Sequence, residues 1–223
     1  MKDKGKRIRK IYNLLHGHFG DLGWWPAESP FEVMVGAVLT QNTSWSNVEK
    51  AIERLKDKGL MRPSRMAGAD AGSLSRAIRP AGYFRVKARR LKEMSRFIIK
   101  ECGGKLDRLG REDILCLREK LLGVKGVGPE TADSILVYAL GKPVFVVDAY
   151  TRRVFSRHGL TGESASYEDV QRLVHENIPL KVKTMNQFHA LLVEAGKRYC
   201  RKKSPKCGEC PLRGMKRRHS LIT

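Results

Sequence analysis

The sequence predicts an all-α protein. Apolar residues recur at helical spacing along most of the chain, and glycine or proline punctuates the segments so marked. The single strand-like run, residues 143–147, is too short and too isolated to build a sheet. Residues 31–39 are almost wholly apolar (Phe31, Val33, Met34, Val35, Ala37, Val38, Leu39) and read as a buried helix. From Ser44 an amphipathic helix puts Val48, Ala51, Ile52 and Leu55 on one face and stops near Gly59. A short helix at 74–78 is broken by Pro80-Ala81-Gly82. Residues 84–102 form a long helix with the stripe Ala88, Leu91, Met94, Ile98 and Cys102, ended by Gly103-Gly104. Further helices are expected at 111–122, 131–140, 149–157, 167–176 and 184–199. No repeat is visible, and the main composition shift is a basic tail after Tyr199.

Charge points to the partner. The 223 residues hold 44 Lys and Arg against 23 Asp and Glu, a formal net charge of +21. A chain so basic is suited to a polyanion, with affinity that falls as salt rises, because binding releases condensed counterions. Charge alone does not separate DNA from RNA or a membrane surface. No run of 18 apolar residues offers a membrane span, and residues 1–10 are too polar for a signal peptide, so the expected location is the cytoplasm. Five cysteines, an odd count, argue against a disulfide framework there. Cys102 and Cys116 fall on apolar helical stripes and are expected as buried thiols.

Two segments carry chemistry. In Leu121-Leu122-Gly123-Val124-Lys125-Gly126-Val127-Gly128-Pro129-Glu130-Thr131-Ala132 one helix enters and another leaves. Gly126, Val127 and Gly128 form a tight hairpin between them. Glycines permit positive φ and remove side chains, so backbone N–H groups approach a phosphate closely, and the next helix adds its dipole from Pro129. The same letters also describe an ordinary helix corner; their place in a chain of charge +21 favours the phosphate clamp. Twenty residues after Gly128, an apolar run delivers Asp148 to the start of a helix. Asp is a preferred N-cap. It also suits stabilising positive charge on a deoxyribose or orienting water toward C1′, and one carboxylate can do both.

With these residues in place, the sequence resembles the helix-hairpin-helix DNA glycosylases of the endonuclease III superfamily. The hairpin, the spacing and Val147-Asp148 match the family pattern L-P-G-V-G-x-K-T-A followed by V-D. Ala37-Val38-Leu39-Thr40-Gln41-Asn42-Thr43 is similar to its buried helix ending in a glutamine, which fills the gap left by a flipped nucleotide. Arg79-Pro80-Ala81-Gly82-Tyr83 followed by Lys87-Ala88 also fits. The resemblance implies two helical lobes with the active cleft between them. A six-helix barrel would span 28–142, and a second lobe would join 1–27 to 143–223. It further implies duplex DNA with a damaged base as partner, a monomeric enzyme, and Asp148 as the catalytic residue.

Two departures refine this. Glu130 stands where strand-cutting members carry the lysine that forms a Schiff base, so a water-using, monofunctional enzyme is expected. Lys125 and Lys142 lie nearby in sequence but not at that position. Within the superfamily the resemblance is strongest to the 3-methyladenine DNA glycosylase III branch. That branch shares the glutamate, a W-W-P motif (Trp24-Trp25-Pro26) and an aromatic after Q-N-T (Trp45). Trp24, Trp25 and Trp45 are then expected around a flipped alkylated purine, held by stacking and cation–π attraction; a core role suits Trp25 equally. The rival readings are a bifunctional endonuclease III acting on oxidised pyrimidines and a non-catalytic DNA-binding module. Uracil, hypoxanthine and mismatched thymine are the other candidate bases. The second departure lies in the iron–sulfur loop. Cys200, Cys207 and Cys210 match three of the four cysteines of C-x₆-C-x₂-C-x₅-C, and Lys216 occupies the fourth position. A [4Fe–4S] cluster normally takes four thiolates. The loop then holds a cluster with an unusual ligand such as His219, binds zinc, or is kept by packing alone.

Overall fold

The computed structural model describes residues 2–215, so the expectations placed on Lys216 and His219 lie outside the described residues. In chain order the helices are α1 (Lys2–Phe19), α2 (Pro30–Leu39), α3 (Trp45–Asp57), α4 (Pro63–Gly68), α5 (Ala71–Ala77) and α6 (Phe84–Cys102). There follow α7 (Leu106–Leu109), α8 (Ile114–Leu122), α9 (Pro129–Ser134), α10 (Ala149–Arg157), α11 (Tyr167–His175) and α12 (Val182–Arg198). A 3₁₀ turn spans Arg79–Ala81, and α9 runs on into a π-helical turn, Ile135–Ala139. No strand occurs among the described residues. No helix among them is long and apolar enough to cross a membrane. The chain divides into two compact units, Met1–Trp24 with Pro143–Thr223, and Trp25–Lys142.

The Trp25–Lys142 unit is built around α2. Ser29 caps it, accepting from Glu32 N–H at 3.2 Å, and Pro30 sets its first turn. Every residue from Phe31 to Leu39 is buried, as an apolar run without a polar face requires. The π-helical turn, α3, α6 and α9 pack against it. Gly103, left-handed at φ +62°, closes α6. Short α4 and α7 had no apolar stripe to announce them. α8 begins at Ile114 rather than residue 111, because the Asp113 carboxylate caps the amides of Leu115 and Cys116 at 2.9 and 3.1 Å. One expectation is corrected here: Cys116 is exposed, since the buried stripe of α8 runs through Leu117 and Leu121 and Cys116 falls one position off it. Cys102 is buried, with its thiol on the Ile98 carbonyl.

In the other unit α12 packs against α1 and α10. Ile8, Ile11 and Leu15 of α1 are fully buried, and Phe188 meets Phe145 and Phe155 at 5.5 and 6.3 Å. At Gly196 of α12 an added Cβ would come within 2.4 Å of the Tyr150 ring, so only glycine admits α10 this close. The run 143–147 is extended without a strand partner. Its polar groups are met by one face of α11 instead. Val147 N–H donates to Tyr167 Oη at 3.2 Å, Gln171 Nε2 donates to Phe145 O at 2.7 Å, and Phe145 N–H donates to His175 Nε2 at 3.0 Å. Tyr167, Gln171 and His175 are spaced four residues apart and so lie on one face of α11, the first meeting Val147 and the other two meeting both polar groups of Phe145. This strap satisfies a buried segment that leads directly into Asp148.

Candidate active site

The hairpin is fixed from inside. Val124 and Val127 are buried, and Val127 N–H closes a turn on Val124 O at 3.0 Å. Gly126 is left-handed at φ +92°, and a Cβ there would stand 2.6 Å from the Arg90 side chain. Gly128 differs from expectation. Its φ of −100° and ψ of 179° are ordinary extended backbone, and its glycine instead leaves open space, with nothing within 4 Å of a Cβ. Among the described residues neither Gly126 N–H nor Gly128 N–H has an intramolecular acceptor, as a phosphate-binding turn needs. Replacing Gly126 with Ala is therefore expected to weaken duplex binding by about 5- to 150-fold, a loss of about 1–3 kcal/mol from the strained φ and the clash. Fluorescence anisotropy on undamaged duplex checks this.

Gln41 follows α2 by two residues, in a loop turned by Asn42 at φ +53°. Its amide is engaged by the hairpin root: Nε2 donates to Gly126 O at 3.1 Å and Thr131 Oγ1 at 2.9 Å, and Oε1 accepts from Arg90 Nη1. The same loop is anchored beneath by Lys87, only 1% exposed, whose Nζ donates to Leu39 O and Thr43 Oγ1 at 2.7 Å and to Ala81 O at 2.8 Å. Burial, and secondarily Arg90, pull this amine down to about 8 from 10.5. Beside the knot stands Tyr83, 72% exposed and left-handed at φ +45°, an aromatic held outward in a conformation non-glycine residues seldom adopt. In sequence Tyr83 stood out only as the end of the Arg79–Tyr83 match and was given no role, because an exposed tyrosine carries no periodic signal.

The aromatic residues separate. Trp25 and Trp45 meet edge to face with centroids 5.0 Å apart, and Tyr138 of the π-helical turn lies 5.2 Å from Trp25. Gly36 lets the Trp25 indole lie against α2, since a Cβ would be 3.1 Å from the ring. Trp45 Nε1 donates to Glu49 Oε1 at 2.6 Å, which sets its ring. Trp24 belongs to the other unit, where Lys197 Nζ sits 5.2 Å from its ring centroid. Tyr138 and Glu49 are additions that the sequence did not offer.

Asp148 is the N-cap of α10, its Oδ1 accepting from Thr151 N–H at 2.7 Å, and it is 8% exposed. His189 Nε2 stands 3.5 Å from Oδ2. Burial pushes the carboxyl up, but the His189 hydrogen bond and charge, with the Thr151 amide, outweigh it, and the group lies below its ordinary 3.8. Sequence reasoning missed His189; its signal is a histidine inside the apolar run of α12, where a polar ring needs a partner. Glu130 is exposed in the first turn of α9, and its carbonyl accepts from Ser134 Oγ at 2.7 Å. Lys142 Nζ is held on Glu112 O at 2.6 Å, and Lys125 is exposed.

Cys200, Cys207 and Cys210 line one pocket. Arg157 Nη1 donates to Cys200 Sγ at 3.4 Å, and Leu212 N–H to Cys210 Sγ at 3.5 Å. These three soft donors are one short of the four thiolates a [4Fe–4S] cluster normally takes. Among the described residues no three His, Cys, Asp or Glu side chains already stand in metal-holding geometry.

Comparison with known proteins follows this geometry. Residues 35–180 match the HhH-GPD superfamily base excision DNA repair protein family. A Methanocaldococcus jannaschii protein provisionally named a DNA repair glycosylase is 45% identical over 213 residues, covering 95% of this chain and 96% of that protein. Endonuclease III of Thermotoga maritima is 31% identical over 82% of this chain and 81% of its own length. Among solved structures, a non-covalent endonuclease III–DNA complex superposes with a TM-score of 0.82 at 26% identity, covering 95% of this chain and 94% of that one. The Helicobacter pylori 3-methyladenine DNA glycosylase bound to 1,N6-ethenoadenine gives 0.73 at 30% identity, covering 87% and 97%. The chain belongs to the HhH-GPD superfamily of base excision DNA repair proteins and is a DNA glycosylase.

Proposed function

We propose that this glycosylase is monofunctional, hydrolysing the bond between deoxyribose and an alkylated purine such as 3-methyladenine in duplex DNA. The observation that carries the first half is Glu130 in the first turn after the hairpin, where a carboxylate offers no amine to form an imine. The hairpin amides of Gly126 and Gly128 hold backbone phosphate. Tyr83 stacks into the opened duplex, and Gln41 exchanges its hairpin bonds for the vacated stack. The aromatic faces of Trp25, Trp45 and Tyr138 suit a flipped cationic base, with Trp24 a further aromatic face already engaged by Lys197. Asp148, ionised and buried, stabilises the oxocarbenium-like sugar and orients water, while His189 holds the carboxylate. A cationic base leaves without a general acid, which agrees with a single carboxylate in this role. The enzyme acts as a monomer.

The likeness to endonuclease III favours a second reading, in which an amine elsewhere supplies lyase chemistry to an oxidised pyrimidine. A panel of duplexes, each with one lesion, separates the two. We expect release of 3-methyladenine as free base, strand breaks only after alkali, and no protein–DNA adduct with borohydride. Release of thymine glycol together with borohydride trapping would establish the second reading instead.

A further inference from the structure

A second basic surface lies where α3 hands over to α4. Lys58, Arg62 and Arg65, with Ser64, Gly59 and Gly68, line a hollow of about 1150 Å³ that is open to solvent, and no carboxylate is among its lining residues. The three cations are exposed, and none takes part in an ion pair among the described residues. Cations grouped without partners raise the local positive potential, which an anion relieves. Nothing stands within 4 Å of a Cβ at Gly59 or Gly68, so the backbone there is bare. Of the flanking acids, Asp57 ends α3 outside the lining, and Asp70 caps α5, accepting from Ser73 N–H at 2.7 Å. The hollow lies on the other side of α6 from the hairpin. Arg90 of α6 packs on Gly126 and bonds Gln41. Lys92, two residues on and about 200° around the same helix, donates to Ala69 O in the wall of the hollow at 2.6 Å. α4 packs along α6 there. The length of α3, about 20 Å for its 13 residues, separates the hollow from the Gln41 loop.

We propose that this hollow is a second DNA-binding site, which grips the phosphodiester backbone of another duplex segment while the hairpin holds the first. The guanidinium groups of Arg62 and Arg65 suit phosphate oxygens as paired donors, Lys58 adds a point charge, and Ser64 adds a hydroxyl. The cations line a hollow rather than a projecting helix edge, so they meet the outer phosphates of a duplex and not the floor of its groove. The grip is therefore independent of base sequence. An enzyme with two such grips passes from one DNA segment to the next through a complex that touches both, without first entering solution. DNA is favoured over an acidic peptide by local concentration. Once the hairpin holds a duplex, further segments of the same polymer stand close to the second site. The inference rests on the hairpin as the first DNA contact, which the Gly126→Ala binding measurement tests separately, and not on which base the enzyme removes.

The test uses the full chain and undamaged duplex. A fluorescent duplex is bound first and then chased with rising concentrations of unlabelled duplex, its loss being followed by stopped-flow anisotropy. The loss rate should climb in proportion to the competitor, as direct transfer requires; departure into solution gives a rate that ignores the competitor. The combined variant Lys58→Gln, Arg62→Gln, Arg65→Gln should flatten the climb, and the pair Arg62→Lys, Arg65→Lys, which keeps the charge, should retain most of it. The logarithmic slope of transfer rate against salt should shrink by about 2–3 in the glutamine variant, for three phosphate contacts removed. Single-turnover base release from a bound lesion duplex should be unchanged, since none of the three side chains bonds the hairpin or the Gln41 loop. A flat loss rate in the unsubstituted protein, or an equal climb in the glutamine variant, would overturn the second site. Polyglutamate that speeds the loss as much as duplex of equal charge would assign the hollow to an acidic peptide and overturn DNA as its occupant.

Discussion

Asp148→Asn is expected to slow single-turnover base release by about 10³-fold, the scale for removing one preorganised electrostatic group at a reacting centre. Binding to undamaged duplex should change by no more than about twofold. The substitution suits the question because asparagine keeps the cap: its side-chain oxygen still accepts from Thr151 N–H, so α10 should start where it does now. What is removed is the negative charge facing His189. The pH dependence has a definite sign. The folded carboxyl lies below its ordinary 3.8, so its stabilising contribution is complete above that value and is lost only as pH falls through the lower folded one. Asp148 therefore stays ionised from pH 5 to 8, and an acid limb within that range belongs to another group. A variant that retains a tenth of the rate would remove Asp148 from the chemistry.

Lys87→Met should destabilise the protein by about 3 kcal/mol, lowering Tm by about 6–12 °C for a chain of this size. Methionine fills the same volume but donates nothing. Leu39 O then loses its buried donor and Thr43 Oγ1 loses its proton source, while Ala81 O keeps only Thr43. The loop that carries Gln41 loosens with them, so base release should fall further than stability alone accounts for. The amine lies at about 8 when folded and 10.5 when unfolded, so the cost of burying its charge is present below pH 8 and relieved as pH rises toward 10.5. The gap between the two proteins should widen from pH 7 to pH 9. Differential scanning calorimetry at both values is the measurement, and an unchanged Tm at pH 7 would contradict the anchoring role.

The parts of this molecule that were legible in sequence are those with a local cause. α6 and α10 run as their apolar stripes dictate, stopped by Gly103 and started by Asp148. The G-V-G turn and Glu130 could be read because glycine and carboxylate chemistry depend on type and spacing. What stayed hidden depends on contacts between distant residues. His189 and Asp148 are 41 positions apart, and only folding brings them to 3.5 Å. The sequence denied residues 143–147 a sheet, but nothing local says that α11 is the helix they lean on instead. Gly126 takes positive φ and Gly128 leaves open space, two uses of glycine that look the same as letters. Cys116 was misplaced by one step around a helix, about 100°, which is enough to move a side chain from core to water.

The wide turn at Ile135–Ala139 has a bearing on heredity. Leu140 N–H reaches back five residues to Ile135 O at 3.1 Å, so the turn contains one residue more than an α-helix would hold. Loss of one codon between 135 and 137 would return the helix to its regular winding, and because the wide turn is what absorbs the extra residue, the chain beyond it would keep its facing. A lineage carrying this scaffold can thus gain or lose that one residue through a single in-frame insertion or deletion while the remainder of the fold keeps its register.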